Sequence, residues 1–157
     1  MKAPAEGVVE VERRIAARPE TVFSFLVDPE RFRRWQGIDA ELDPRPGGVF
    51  RFRTTVHPHY TATGKYVEVD PPKRIVFTWG WEPNEHLTEG QHDLPPGAST
   101  VEMTLAPDGD GTLLRLRHSG LPREAACRFH AMGWESTLDL VLADLAGGAA
   151  ESTEPQL

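Results

Sequence analysis

The stretch from Pro122 to about Gly147, PREAACRFHAMGWESTLDLVLADLAG, limits what the rest of the chain can do. At helical pitch Trp134, Leu138, Val141, Leu142 and Leu145 fall on one stripe, while Glu135, Ser136, Asp139 and Asp144 fall outside it. Pro122 stands where a helix begins without losing a bonded N–H, and Gly147 and Gly148 follow the last apolar residue as a stop signal. No other segment is long enough to span a small domain. What precedes it reads as short strands, and strands with one apolar face need such a helix to cover them. The expectation is an α+β fold in which a curved antiparallel sheet of about six to seven strands wraps this helix.

Taken in order, Val9, Val11 and Ile15 share one face of a first strand, with Glu10, Glu12 and Arg14 on the other. Arg13 breaks the apolar parity, so it lies at an edge or reaches a polar patch inside. Two short helices follow. Pro19 opens the first, which brings Val22, Phe23 and Leu26 together; Asp28-Pro29-Glu30 caps and opens the second, which carries Phe32 and Trp35. A strand at 39–43, a turn at DPRPGG, and the alternation of Phe50 and Phe52 with Arg51 and Arg53 come next. Tyr60 to Val69, with Gly64 as a candidate bulge, pairs as a hairpin with Lys73 to Trp79, where Ile75, Phe77 and Trp79 share a face. Residues 80–98 form a long loop that is either plain surface or the mouth of a site. Val101, Met103 and Leu105 alternate, Asp110-Gly111 marks a hairpin turn, and Leu114, Leu116 and His118 make the last inner strand face.

The net charge is −7 over 157 residues. Residues up to Gly80 carry 13 basic and 11 acidic groups and the remainder 4 and 13, so the acidity sits in the second half. Such a chain lacks the basic stripe that nucleic acid requires, and the local groups Arg31, Arg33, Arg34 and Arg51, Arg53 read as solvated faces. The single Cys127 excludes an internal disulfide. With no long apolar run and no signal-peptide core in MKAPAEG, the expectation is a cytoplasmic protein without membrane insertion.

PETVFSFLVDPERFRRW, the Gly-Gly before Val49 and Phe50, GKYVEVDPPKRIVFTWGWE, DGDGTLLRLRHSGL and HAMGWESTLDLVLADL together resemble the START-like helix-grip (SRPBCC) superfamily. More narrowly they are similar to the branch related to the C-terminal domain of the activator of the ninety-kilodalton heat-shock protein ATPase. On that resemblance Pro19 and Trp35 match marks of the first two helices. Asp70, Pro71, Pro72 and Trp79 match the central hairpin, and Gly133-Trp134 after His130 matches the terminal helix; Phe23 stands where many relatives carry Trp. It implies one helix-grip domain over residues 8–147, with 1–7 and 148–157 as flexible tails. The superfamily includes carriers of hydrophobic ligands, polyketide cyclases and chaperone co-factors.

A sheet curled round the terminal helix would enclose a ligand-binding space lined by Phe50, Phe52, Tyr60, Phe77, Trp79, Met103, Leu116, His118, His130 and Trp134. The same residues would equally make a solid core. His130, His118 and Tyr60 are the candidates for acid–base work or for orienting a ligand. His57 and His59 share a strand face, yet no motif of fixed spacing links them to His86, His92 or Glu89, so no metal and no cofactor is expected. Cys127, near Arg123 and Arg128, reads as a buried inert thiol, Ser119 lacks a nucleophile elbow, and Glu82 and Glu85 lie in a polar loop that separates no pKa values. The resulting expectation is binding of a small hydrophobic molecule, with enzymatic activity left open. One alternative is a cyclase-, dehydratase- or hydrolase-like enzyme in the same cavity. The other is a chaperone-associated or stress-related interaction protein, with Phe129, Met132 and Leu140 as an outward strip for a partner or a second copy in a homodimer.

Overall fold

The computed structural model describes residues 7–35, 37–54 and 59–151. Its elements are β1 (Val9–Ile15), α1 (Pro19–Leu26), α2 (Pro29–Trp35), β2 (Gly37–Leu42), β3 (Val49–Thr54), β4 (Thr61–Asp70), β5 (Arg74–Trp81), β6 (Ser99–Asp108), β7 (Gly111–Ser119) and α3 (Glu124–Glu151). The curved sheet has seven strands in the order β1-β7-β6-β5-β4-β3-β2, with neighbouring strands antiparallel. This is the helix-grip arrangement.

Strand alternation builds the core. Phe50 and Phe52 of β3, Ile75, Phe77 and Trp79 of β5, Val101, Met103 and Leu105 of β6, and Leu114 and Leu116 of β7 are all buried. Trp134, Leu138 and Val141 of α3 complete it, with Leu142 and Leu145 packed at its border. Val22, Phe23 and Leu26 of α1 and Phe32 of α2 add the apolar faces of the short helices. Asp28 caps α2, its carboxylate accepting the Glu30 N–H at 2.9 Å. Asp144, on α3, receives Arg31 at 3.3 Å and Arg34 at 3.1 Å, which ties α2 to the terminal helix. Arg13 follows the inward parity of β1, is half-buried, and reaches the exposed Asp139 of α3 at 3.2 Å, a polar contact at the surface between strand and helix.

Three local expectations are corrected. The helix does not stop at Gly147 and Gly148 but continues to Glu151. Each internal glycine costs a helix only about 1 kcal/mol, and Ala146, Ala149 and Ala150 are strong helix formers around them. The β6–β7 turn is centred on Gly109 and Asp110, since Asp108 pairs with Gly111, and Gly109 takes φ of +61°. Gly64 pairs regularly with Phe50; the β4 irregularity falls between Tyr66 and Glu68. Gly64 instead lies where a Cβ would meet the Thr78 carbonyl. The side chain of Trp35, all of His57 and most of the expected tails lie outside the described residues. Among the described residues no helix is long and apolar enough to cross a membrane.

Candidate functional site

Helical spacing puts Phe129, His130, Gly133, Trp134 and Thr137 on one side of the first half of α3. Strand parity sets Phe52 and Thr54 of β3 and Trp79 and Trp81 of β5 opposite them, with Tyr60 just before β4 and Phe32 from α2. Together these residues line an open cleft of about 220 Å³. The rings brace one another: Trp79 lies 5.1 Å from Trp134 and 5.4 Å from Trp81, and Trp81 stands edge-on to Tyr60 and to Phe129, each at 6.1 Å.

Behind this apolar wall runs a buried polar chain. The Trp81 indole N–H donates to Nε2 of His130 at 3.1 Å, and His130 Nδ1 donates to the Ala126 carbonyl at 2.8 Å. In parallel, the Trp134 indole donates to Nδ1 of His118 at 2.9 Å. His118 Nε2 then donates at 2.8 Å to Ser99 Oγ, whose hydroxyl donates to the Trp79 carbonyl at 2.8 Å. An indole is only a donor, so each ring nitrogen facing one must be an acceptor, and both imidazoles are neutral. Burial, then the neighbouring His130 ring 5.0 Å away, holds His118 well below the usual histidine range. Burial brings His130 down to about 4 against the opposing pull of the Ala126 carbonyl. Tyr60 donates its hydroxyl to the His86 carbonyl at 3.2 Å, and Thr54 Oγ1 accepts the Tyr60 N–H at 2.9 Å. The Trp79 indole N–H is buried with no acceptor among the described residues.

The residues expected to line one cavity are divided by the packing. Phe52, Tyr60, Trp79, His130 and Trp134 meet at the cleft. Phe50, Phe77 and Met103 instead surround a gap of about 20 Å³ with Tyr66, Leu138 and Val141, room for one water at most in an apolar setting. Phe50 stacks on Phe77 at 4.0 Å, which fills that end of the grip. Leu116 is buried at 1% exposure and His118 is fully buried behind Trp134. Phe32, Trp134 and Thr137 border both spaces and so form the partition.

Six lining residues were not expected: Phe32, Thr54, Trp81, Phe129, Gly133 and Thr137. Trp81 was legible, because it continues the parity of Phe77 and Trp79. Phe129 stands one residue before His130, on the edge of the same stripe; it faces Trp81 rather than joining Met132 and Leu140 outside. The candidate metal ligands do not converge: His59 meets the Thr54 carbonyl, His86 pairs with Glu85, and His92 lies between Asp93 and Arg123. Among the described residues no group of three or more such side chains could hold an ion. Burial, then the Glu124 carboxylate, raises the Cys127 thiol, the opposite of activation by its arginine neighbours.

Residues 16–146 match the family model for Activator of Hsp90 ATPase homolog 1-like proteins. No curated protein matches the chain in sequence. Among solved structures, an AHSA1-like protein from Rhizobium etli is 36% identical, with 94% of this chain and 86% of that one covered and a TM-score of 0.67. CalU16 from Micromonospora echinospora is 28% identical over 89% of this chain and 78% of its own, with a TM-score of 0.63. An Aha1 dimer from Colwellia psychrerythraea is similar in fold, with 18% identity, 88% and 95% coverage and a TM-score of 0.68.

Proposed function

The chain belongs to the family of Activator of Hsp90 ATPase homolog 1-like proteins, and from that premise we propose that it binds a small, uncharged, hydrophobic molecule in the cleft between α3 and the ends of β3 and β5. The observation that carries the reading is the combination of open space with a wall of rings that presents no charged side chain among the described residues. Seven of the lining side chains are phenyl, phenol or indole rings (Phe32, Phe52, Tyr60, Trp79, Trp81, Phe129 and Trp134); both His130 nitrogens, the Tyr60 hydroxyl and the Thr54 Oγ1 acceptor are engaged within the protein, and the buried Trp79 indole N–H has no acceptor among the described residues. A charged ligand would find no counter-ion among the described residues of that wall. At about 220 Å³ the space falls below the roughly 300–1,000 Å³ of drug-sized pockets, which favours a molecule of about two rings.

Two other uses have less behind them. For acid–base catalysis His130 is the ring on the cleft wall, but both its nitrogens are engaged and its depressed basicity suits a proton acceptor poorly at neutral pH. For a chaperone or a second copy, the outward face of α3 offers Met132 and Leu140, which stand two turns apart with exposed Ser136 between them. Phe129, which would have joined them, turns to the cleft.

Native mass spectrometry of freshly purified protein, combined with tryptophan-fluorescence titration against neutral one- to three-ring aromatic compounds, tests the binding reading. A one-to-one adduct that quenches indole emission and raises the melting temperature is expected. A bare mass together with no response to any compound would sink it.

A further inference from the structure

Gly133 stands inside α3, where glycine is the least favourable residue after proline. Two structural reasons usually excuse a glycine: a positive φ, or a neighbour where the Cβ would stand. Every other glycine whose surroundings are described has one of them, as Gly109 does at +61° and as Gly90 does against the Phe129 ring. Gly133 has neither. It is helical, and a Cβ built on it meets nothing within 4 Å. Gly133 is exposed and is one of the lining residues, one turn from Phe129 and from Thr137 on the same stripe, so the space it leaves opens onto the cleft at its solvent side.

We propose that Gly133 sets the size of molecule the cleft accepts, its missing side chain letting a flat hydrophobic ligand lie directly against the α3 backbone. The inference rests on the binding reading above and adds a specificity-determining position to it. The geometry is that of a slot: the helix supplies a bare floor at Gly133, the rings of Phe129 and Trp134 stand beside it, and Trp79 and Trp81 form the facing wall. Any side chain at 133 would occupy volume that is otherwise free, so the glycine costs the helix stability and returns room for ligand.

The test uses the full chain as wild type, Gly133→Ala, Gly133→Leu and Phe129→Ala, with the neutral two-ring fluorophore 1-naphthylamine as the probe, read by fluorescence titration and by thermal unfolding. Gly133→Ala is expected to raise the melting temperature by about 2–4 °C. Gly133→Leu is expected to fold at least as stably as wild type and to weaken probe binding by more than about tenfold. A Gly133→Leu protein that binds like wild type, while Phe129→Ala alters affinity, overturns the role of Gly133 and leaves the binding site standing. A Gly133→Leu protein that is destabilised also overturns it, because the space would then not be open. If wild type fails to bind, or if neither position affects binding, the site itself is wrong and the inference falls with it.

Discussion

The His130 ring is 3% exposed, receives the Trp81 indole on one nitrogen and gives its only proton to the Ala126 carbonyl on the other. Burial disfavours a second proton, which would also set two N–H groups face to face, so the folded state refuses it until about pH 4, whereas an unfolded chain takes it up near pH 6.5. Between those values the unfolded state binds more protons, and stability therefore rises with pH. Acidification from pH 7 to pH 4 should cost on the order of 3 kcal/mol from this residue, with His118, shifted in the same direction, adding to the loss. Below about pH 4 the His130 contribution levels off. Urea denaturation of wild type and His130→Phe at pH 7.5, 6, 5 and 4.5 separates this from carboxylate titration, because only the difference between the two profiles belongs to His130. Parallel profiles would show that the ring is hydrated or charged in the folded protein.

Among the elements, the connection between β5 and β6 is the least anticipated. Residues 80–98, with their acids and prolines, read as either a solvated loop or the mouth of a site; Gln91 and Leu94 are buried, and the stretch around Gly90 packs on the first turns of α3. Leu94 is 1% exposed and its carbonyl accepts the Trp81 N–H at 2.8 Å. Arg123 binds Asp93 at 2.8 Å and the Glu89 carbonyl at 3.1 Å, and Gly90 lies where a Cβ would meet the Phe129 side chain. Gly90→Val should thus push Phe129 toward the cleft, destabilising the protein by about 1–3 kcal/mol and weakening probe binding together. Full affinity in a folded Gly90→Val protein would uncouple loop from cleft. None of this is written in local pattern, whereas strand parity is: Phe50, Phe77, Met103 and Leu116 announce their burial by alternation alone. Alternation cannot say which buried rings touch each other and which touch empty space. That depends on where α3 crosses the sheet, so Phe50 and Phe77 stack while Phe52 and Trp79 face a cleft, with identical signals in the sequence. Trp81 and Gly133 carried local signals, one by parity and one by its unfavourable place in a helix.

Across the whole molecule the grip is solid at one end and open at the other, with Trp134 and Thr137 shared between the ends. A fold that filled both would leave no room for ligand, and one that opened both would give up burial that a chain of 157 residues needs for stability. The division makes an energetic prediction that requires no knowledge of the ligand. Phe77 is 3% exposed in the packed end, so Phe77→Ala should cost about 3–5 kcal/mol in urea denaturation. Phe129 is half-buried on the open wall, where truncation creates no sealed cavity, and Phe129→Ala should cost about 1 kcal/mol. Saturating ligand should narrow that gap, because the Phe129→Ala protein alone then loses a contact with a bound molecule as well as with its own chain. Equal costs for the two truncations without ligand would mean that the cleft closes in solution, and that the two ends of the grip are packed alike.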